Sequence, residues 1–288
     1  MTPSKGILAI VEAHLSTAIT GSRFVSGGSI NIAYELQTAT GKYFLKVNHK
    51  TLYPGMFEAE AQGLQLMTQT GTVRVPSIIL QGDAGNESFL LLEWIDSKRG
   101  SVQATTLLGT QLADMHRNTA ERFGLDHDNY MGSLPQSNRK HNKWSDFFVQ
   151  ERLQPMVSMA VDKRLLEYAD AGNFEKLYAK LPELFDEEAP ALLHGDLWSG
   201  NYLTTPADEP YLIDPAVYYG NREADLAMTT LFGGFSNEFY LSYHEAFPLS
   251  KGWQQRTDLW NLYPLLVHLN LFGAGYLGRV RDAVNSYL

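Results

Sequence analysis

The 288-residue chain has no cysteine, which excludes disulfides, thiolate zinc sites and a cysteine nucleophile. It has no apolar run approaching the roughly 20 residues that span a bilayer, and its first residues, Met1 to Gly6, lack the apolar core of a signal peptide. A cytoplasmic location is expected. Basic residues are scarce, 23 against 32 acidic, for a net charge of -9. No Lys/Arg cluster offsets this, so neither nucleic acid nor a membrane surface is expected as partner, whereas an acidic surface tolerates a cationic small substrate. The G-x-x-x-x-G-K-[ST] loop is absent, so any nucleotide site is not of the P-loop type. There is no internal repeat and no low-complexity segment.

What is present includes 44% apolar residues, enough for one large domain or two unequal lobes. The most informative stretch is Leu193-His194-Gly195-Asp196-Leu197-Trp198-Ser199-Gly200-Asn201, followed after a short hairpin by Tyr211-Leu212-Ile213-Asp214. It supplies a carboxylate, an amide five residues on, and a second carboxylate. Phosphoryl transfer in kinase-type folds uses those groups in that order, one carboxylate taking the proton of the attacking hydroxyl and the other two groups holding magnesium. The protein-kinase loop H-R-D-x-x-x-x-N has the same step, with Gly195 standing where its arginine would be, and Asp214-Pro215 replaces Asp-Phe-Gly. His-Gly-Asp alone could equally be a turn between two strands.

Upstream, apolar spacing predicts a helix over Ile7 to Leu15. An antiparallel meander follows through Phe24-Val25-Ser26, Asn31 to Leu36 and Tyr43 to Val47. Gly27, Gly28 and Ser29 form its first turn, where exposed amides can face phosphate oxygens, although Gly-Gly is also simply a good hairpin turn. Lys46 lies in the third strand, on the face opposite Leu45 and Val47, where a lysine is either solvated or bound to an anion. A helix over Met56 to Thr70 brings Glu58 and Glu60 near its start; Glu60 is the expected partner of Lys46, with Glu58 in reserve. Two further strands, Val75 to Leu80 and Ser88 to Ile95, end at Glu93, Trp94 and Ile95, expected to meet adenine through their main chain as the hinge of a kinase lobe does.

Ser97 to Ser101 reads as the boundary between lobes, giving residues 1–96 as a nucleotide clamp and 97–288 as a catalytic lobe. Beyond it, helices are expected at Ala104 to Arg117, Lys143 to Gln154, Lys163 to Ala169, Phe174 to Leu184, after Asp214 as far as Phe232, at Glu238 to Ala246 and from about Asp258 to Val280. Asn129 to Asn138 reads as a loop. His116 and the histidine and glycines of the last helix read as structural features.

His194 to Asn201 together with Asp214-Pro-Ala-Val-Tyr-Tyr-Gly-Asn-Arg-Glu-Ala-Asp225, Leu231 to Phe235, Phe57 to Glu60, Val73 to Pro76 and Asn129 to Ser133 resembles the fructosamine kinase (ketosamine-3-kinase) family, within the aminoglycoside phosphotransferase-like kinases. The resemblance implies an α+β, bilobal protein kinase-like fold with an antiparallel sheet N-lobe and a mainly helical C-lobe. It implies ATP and Mg2+ as cofactors and transfer of a phosphoryl group to the 3-hydroxyl of a small-molecule or protein-bound ketosamine, a deglycation role. By matching position, Asp196 is the base, Asn201 and Asp214 are the metal ligands, and Lys46 and Glu60 are the phosphate lysine and its partner. His194 and Asp225 support the catalytic loop, and Trp198, Tyr219 and Arg222 are candidates for substrate contact, Trp198 being as readily a packing residue. The family commonly has aspartate where this chain has Asn221, and no Ala-Pro-Glu or phosphosite segment follows Asp214. A monomer or weak homodimer is expected. Two other readings keep the residues and change the outcome: a kinase of another amino-sugar or amino-alcohol, of aminoglycoside or choline type, or a non-catalytic ATP-binding protein.

Overall fold

The structure, a computed structural model, describes residues 2–26 and 30–288. Gly27, Gly28 and Ser29, expected at the phosphates, lie outside the described residues. Helix α1 (Lys5–Leu15) starts where the Ser4 hydroxyl accepts from the Ile7 amide, a side-chain cap for an otherwise unsatisfied donor. Strands β1 (Ile19–Val25), β2 (Ile32–Thr38) and β3 (Lys42–His49) follow, then α2 (Met56–Thr70), β4 (Ile78–Ala84) and β5 (Glu87–Glu93). The strands form one antiparallel sheet in the order β1-β2-β3-β5-β4.

Side chains alternate across a strand, and the two faces have separate cores. Tyr34, Leu36, Leu45, Val47, Phe89 and Leu91 pack under Ile7 and Val11 of α1. Leu90, Leu92 and Phe44 pack against Phe57, Ala61 and Leu64 of α2. Because Leu45 and Val47 face α1, Lys46 must face α2, which places its ammonium beside that helix rather than in solvent.

The rest is mainly helical. Helix α3 (Val102–His116) is followed by a hairpin of β6 (Asn129–Met131) and β7 (Leu134–Gln136), then α4 (Trp144–Phe147), a π-helical stretch over Phe148–Leu153, α5 (Gln154–Asp162) and α6 (Tyr168–Lys180). Short strands β8 (Ala191–Leu193), β9 (Tyr202–Thr204), β10 (Pro210–Leu212) and β11 (Tyr218–Gly220) carry the central motif, with β8 paired to β11 and β9 to β10. Helices α7 (Glu223–Leu231), α8 (Asn237–Ala246), α9 (Thr257–Phe272) and α10 (Leu277–Asn285) close the chain. Aromatic rings of Trp144, Phe147, Phe148, Tyr218 and Trp260 form the centre of this core. The two parts are tied by main-chain hydrogen bonds from Lys98 to the Thr204 carbonyl (2.8 Å) and from Leu212 to the Arg74 carbonyl (2.9 Å).

Three expectations are corrected. Asn129 to Asn138 is not a plain loop but a hairpin fastened by side-chain amides: Asn129 donates to the Val217 carbonyl (2.8 Å), and Gln136 (2.7 Å) and Asn138 (3.0 Å) donate to Asn129 Oδ1. The expected helix over Lys163 to Ala169 is mostly a turn, since Arg164 has a left-handed φ of 59° and α6 begins only at Tyr168. The long final helix is two, interrupted where Gly273 takes φ 89°. Among the described residues no helix is long and apolar enough to cross a membrane.

Candidate active site

The site begins where β8 ends. The His194 and Gly195 amides donate to the two oxygens of Asp225 on α7, at 2.7 and 2.9 Å. His116 Nε2 reaches the same carboxylate at 3.2 Å, and Tyr243 sits at its other ring nitrogen at 2.8 Å. Burial pushes the Asp225 carboxyl up, but the His116 hydrogen bond and the adjacent imidazoles outweigh this and hold it below its ordinary value. A buried anion thus fixes the main chain just ahead of Asp196.

His194 takes one role at each ring nitrogen, Nε2 donating to the Ile213 carbonyl (2.9 Å) and Nδ1 accepting from the Asp196 amide (3.2 Å). That pattern requires the neutral ring, and burial pushes its pKa down. Gly195 turns the chain at φ 82°, and a Cβ there would lie 2.1 Å from the Ala216 carbonyl oxygen. No side chain fits, which explains why glycine stands where protein kinases carry arginine.

Asp196 is half-buried at the floor of the cleft. Asn201 Nδ2 donates to its carbonyl (2.8 Å) and to Oδ2 (2.9 Å). Burial pushes the Asp196 carboxyl up to about 7; the Asn201 bond opposes this, and the charges of Asp214 and Asp225 add to it. Asp214, in the left-handed region at φ 55°, points toward the sheet. Lys46 Nζ lies 2.9 Å from its Oδ1 and 2.7 and 2.8 Å from the oxygens of Glu60. Burial alone would lower the lysine pKa, but Asp214 and Glu60 raise it above its ordinary value, so the ammonium stays charged. Glu60, not the exposed Glu58, is therefore the residue beside Lys46.

Two cavities meet at these groups. One, of about 510 Å³, is walled by Val25, Ala33, Phe44, Leu92, Leu203 and Ile213 and reaches Glu93, Trp94 and Ile95. The Glu93 carboxylate is occupied with the Ser77 amide and hydroxyl, the Glu93 main-chain amide with the Ser77 carbonyl (2.9 Å), and the Trp94 indole N–H with Asp96, so the polar groups of both side chains are already engaged. The other, of about 460 Å³, contains Asp196 and is walled by Met56, Tyr130, Phe232, His268, Phe272 and Tyr276. Trp198 borders both and meets Phe232 edge-on at 5.9 Å; Gly200 leaves room for its ring, because a Cβ there would approach it to 2.2 Å.

Tyr219 and Arg222 are corrected, since neither lines either cavity. Tyr219 pairs with Leu192 in the β8–β11 ladder and exchanges main-chain bonds with Gly124. Arg222 is buried, bound to both oxygens of Glu188 (2.7 and 3.0 Å) and to the Phe247 and Pro248 carbonyls, with its guanidinium 3.7 Å above the Phe247 ring. Proximity to Asp214 in sequence suggested them; the chain carries them away along β11. Sequence reasoning missed Asn31, Tyr130, Phe232, His268, Phe272 and Tyr276. His268 and Phe272 sit at i and i+4 of α9, a spacing hidden by the apolar residues all round that helix, and Tyr276 joins them from the turn beyond the break at Gly273.

Among the described residues no group of three or more His, Asp or Glu side chains is arranged to hold a metal. Asp214 and Asn201 instead offer two oxygen ligands. That suits magnesium, which keeps waters and takes substrate phosphates in place of a full protein cage.

A strand lysine paired with a helix glutamate, facing loops that carry an acid, an amide and a second acid, is the division of labour of a kinase-type phosphotransferase. Spectinomycin phosphotransferase shares this fold at a TM-score of 0.62 and 13% identity over 99% of this chain and 94% of that one. The profile of the fructosamine kinase family matches residues 4–288, and the chain belongs to that family. It is 43% identical over 272 residues to a probable ketoamine kinase of Synechocystis, covering 92% of this chain and 90% of the relative. It is 38% identical to the ketosamine-3-kinase of Mus musculus, over 88% and 90% of the two chains. A solved structure from Thermobifida fusca, provisionally named a fructosamine-3-kinase, superposes with a TM-score of 0.90 at 33% identity, with 99% of each chain covered.

Proposed function

We propose that this enzyme transfers the terminal phosphoryl group of ATP to the 3-hydroxyl of a ketosamine, the adduct of a sugar with an amine or a protein lysine, and so serves deglycation in the cytoplasm. Residues 1–96 act as the nucleotide clamp and 97–288 carry the catalytic loop. The observation that carries the reading is the position of Asp196, which lines one cavity and is hydrogen-bonded to Asn201, a residue bordering both that cavity and the one that ends at the hinge. ATP fits the hinge side, with Lys46 reaching its phosphates and Glu60 steadying the lysine. The acceptor fits the aromatic side, where ring faces attract the ammonium of a ketosamine.

In the reaction the acceptor oxygen forms a bond to the terminal phosphorus as the bond from that phosphorus to the bridging oxygen breaks, leaving ADP. The hydroxyl proton passes to the Asp196 carboxylate. Asn201 keeps Asp196 aimed, and Asp225 keeps the loop beneath it still. Magnesium, held by Asp214 and Asn201, would neutralise phosphate charge. ADP release from ATP and Mg2+ with fructosyl- or ribulosyl-lysine tests this. Turnover confined to aminoglycosides or choline, or ATP binding with no transfer, would overturn it.

A further inference from the structure

We infer that Asn31 is a catalytic residue of this transfer, its side-chain amide donating to the phosphoryl group as it crosses between the two cavities. The inference rests on the proposed phosphoryl transfer and extends it to the roof of the cleft.

Six described residues border both cavities: Ile30, Asn31, Lys46, Trp198, Asn201 and Asp214. Lys46, Asn201 and Asp214 have roles at phosphate or metal, Ile30 is apolar and Trp198 is a wall. Asn31 is the remaining polar group at the crossing. It enters β2 from the sheet side, opposite the carboxyl groups on the helical side.

Its orientation is set by a second amide. Asn48 Nδ2 donates to Asn31 Oδ1 at 3.3 Å and also contacts the Met56 sulfur at 3.3 Å. Asn48 follows Lys46 by two in β3, so both side chains leave the same face of the sheet. With Asn31 Oδ1 engaged, Nδ2 is the end that can donate to a ligand. Asn48 is buried, and its own Oδ1 has no partner among the described residues. A buried amide left half-satisfied costs stability, and here it fixes the rotamer of Asn31.

The chemistry calls for such a donor. One ammonium, Lys46, is already bonded to Glu60 and Asp214, and the cavity it lines also contains Asp196. Negative charge spreads over the equatorial oxygens during transfer. A preoriented neutral donor stabilises that charge without binding the carboxylates as a second cation would.

The test uses the full chain, with wild type, Asn31→Asp, Asn31→Ala, Asn48→Leu and Asn31→Ala/Asn48→Leu, assayed by ADP release with ketosamine and by slow ATP hydrolysis in water without acceptor. Asn31→Ala removes the donors without adding charge and should lower kcat about 100-fold, the effect of losing one oxyanion donor, and Asn31→Asp, which also sets a carboxylate against the phosphates, should lower it further. In Asn31→Ala, KM for ATP and for ketosamine should change less than about threefold, since the contact belongs to the transition state. Asn48→Leu should lower kcat about fivefold in wild type and not further in Asn31→Ala, as expected for a residue acting through Asn31. A kcat for Asn31→Ala within twofold of wild type, a loss seen only in KM, or additive effects of the two sites overturns the inference. If wild type turns over no ketosamine, that sinks the proposed acceptor, and the hydrolysis ratio still decides the role of Asn31.

Discussion

Gly195→Ala tests whether the backbone turn at the catalytic loop sets the geometry of the reacting groups. The turn sits at φ 82°, where a side chain costs about 1–2 kcal/mol. The larger effect is steric, because the new Cβ would lie 2.1 Å from the Ala216 carbonyl oxygen. That oxygen cannot move freely: the Ala216 amide donates to the His194 carbonyl (2.9 Å), and the next carbonyl, of Val217, accepts from Asn129 (2.8 Å). Relief requires a shift of about 1 Å between the segment carrying Asp214 and the loop carrying Asp196, a displacement that costs about 100-fold in rate when it falls on reacting groups. Strain and clash together should lower stability by about 3–4 kcal/mol. Urea denaturation and ADP release read the two effects separately. An unchanged denaturation midpoint together with kcat within twofold of wild type would refute the reasoning.

Asp196→Asn should reduce kcat by about 10²–10⁴ while ATP affinity by calorimetry stays within a fewfold. The same substitution should stabilise the fold above neutrality. With its pKa raised to about 7, the Asp196 carboxyl binds its proton more tightly folded than unfolded, so wild type loses stability as pH rises from about 4 through 7, whereas the asparagine variant does not. Denaturation at pH 8 should therefore favour the variant by on the order of 2 kcal/mol; equal pH slopes would refute this. Arg222→Ala, which strands Glu188, should lower stability by about 3 kcal/mol without changing ketosamine KM, and a selective rise in that KM would restore it as a substrate residue. Phe272→Ala, at the aromatic wall, should raise KM for ketosamine several-fold and leave KM for ATP unchanged; the opposite pattern would exchange the two compartments.

The sequence carried those parts whose chemistry repeats with a fixed spacing. The step from Asp196 to Asn201 and the strand alternation around Lys46 were readable, and α2 falls at the expected Met56–Thr70. The β6–β7 hairpin was not, because its strands have three residues each and are fastened by Asn129, Gln136 and Asn138 rather than by an apolar face. Arg222 misled for a related reason: the carboxylate that neutralises it, Glu188, is 34 residues away. His268 and Phe272 line the aromatic cavity from a helix that is apolar all round, and such a pattern contains no clue to which face meets a cavity; Tyr276 joins them only because the chain breaks at Gly273.

Eight residues, 215–222, separate Asp214 from α7, and all but the half-buried Tyr219 are buried. Protein kinases place their adjustable segment here, exposing a hydroxyl whose modification turns the enzyme on. This chain fills the same interval with a strand and a buried arginine clamp, and only the half-buried Tyr219 keeps a hydroxyl there that is not fully enclosed. An on–off switch of the protein-kinase kind has no exposed loop in this interval to act on.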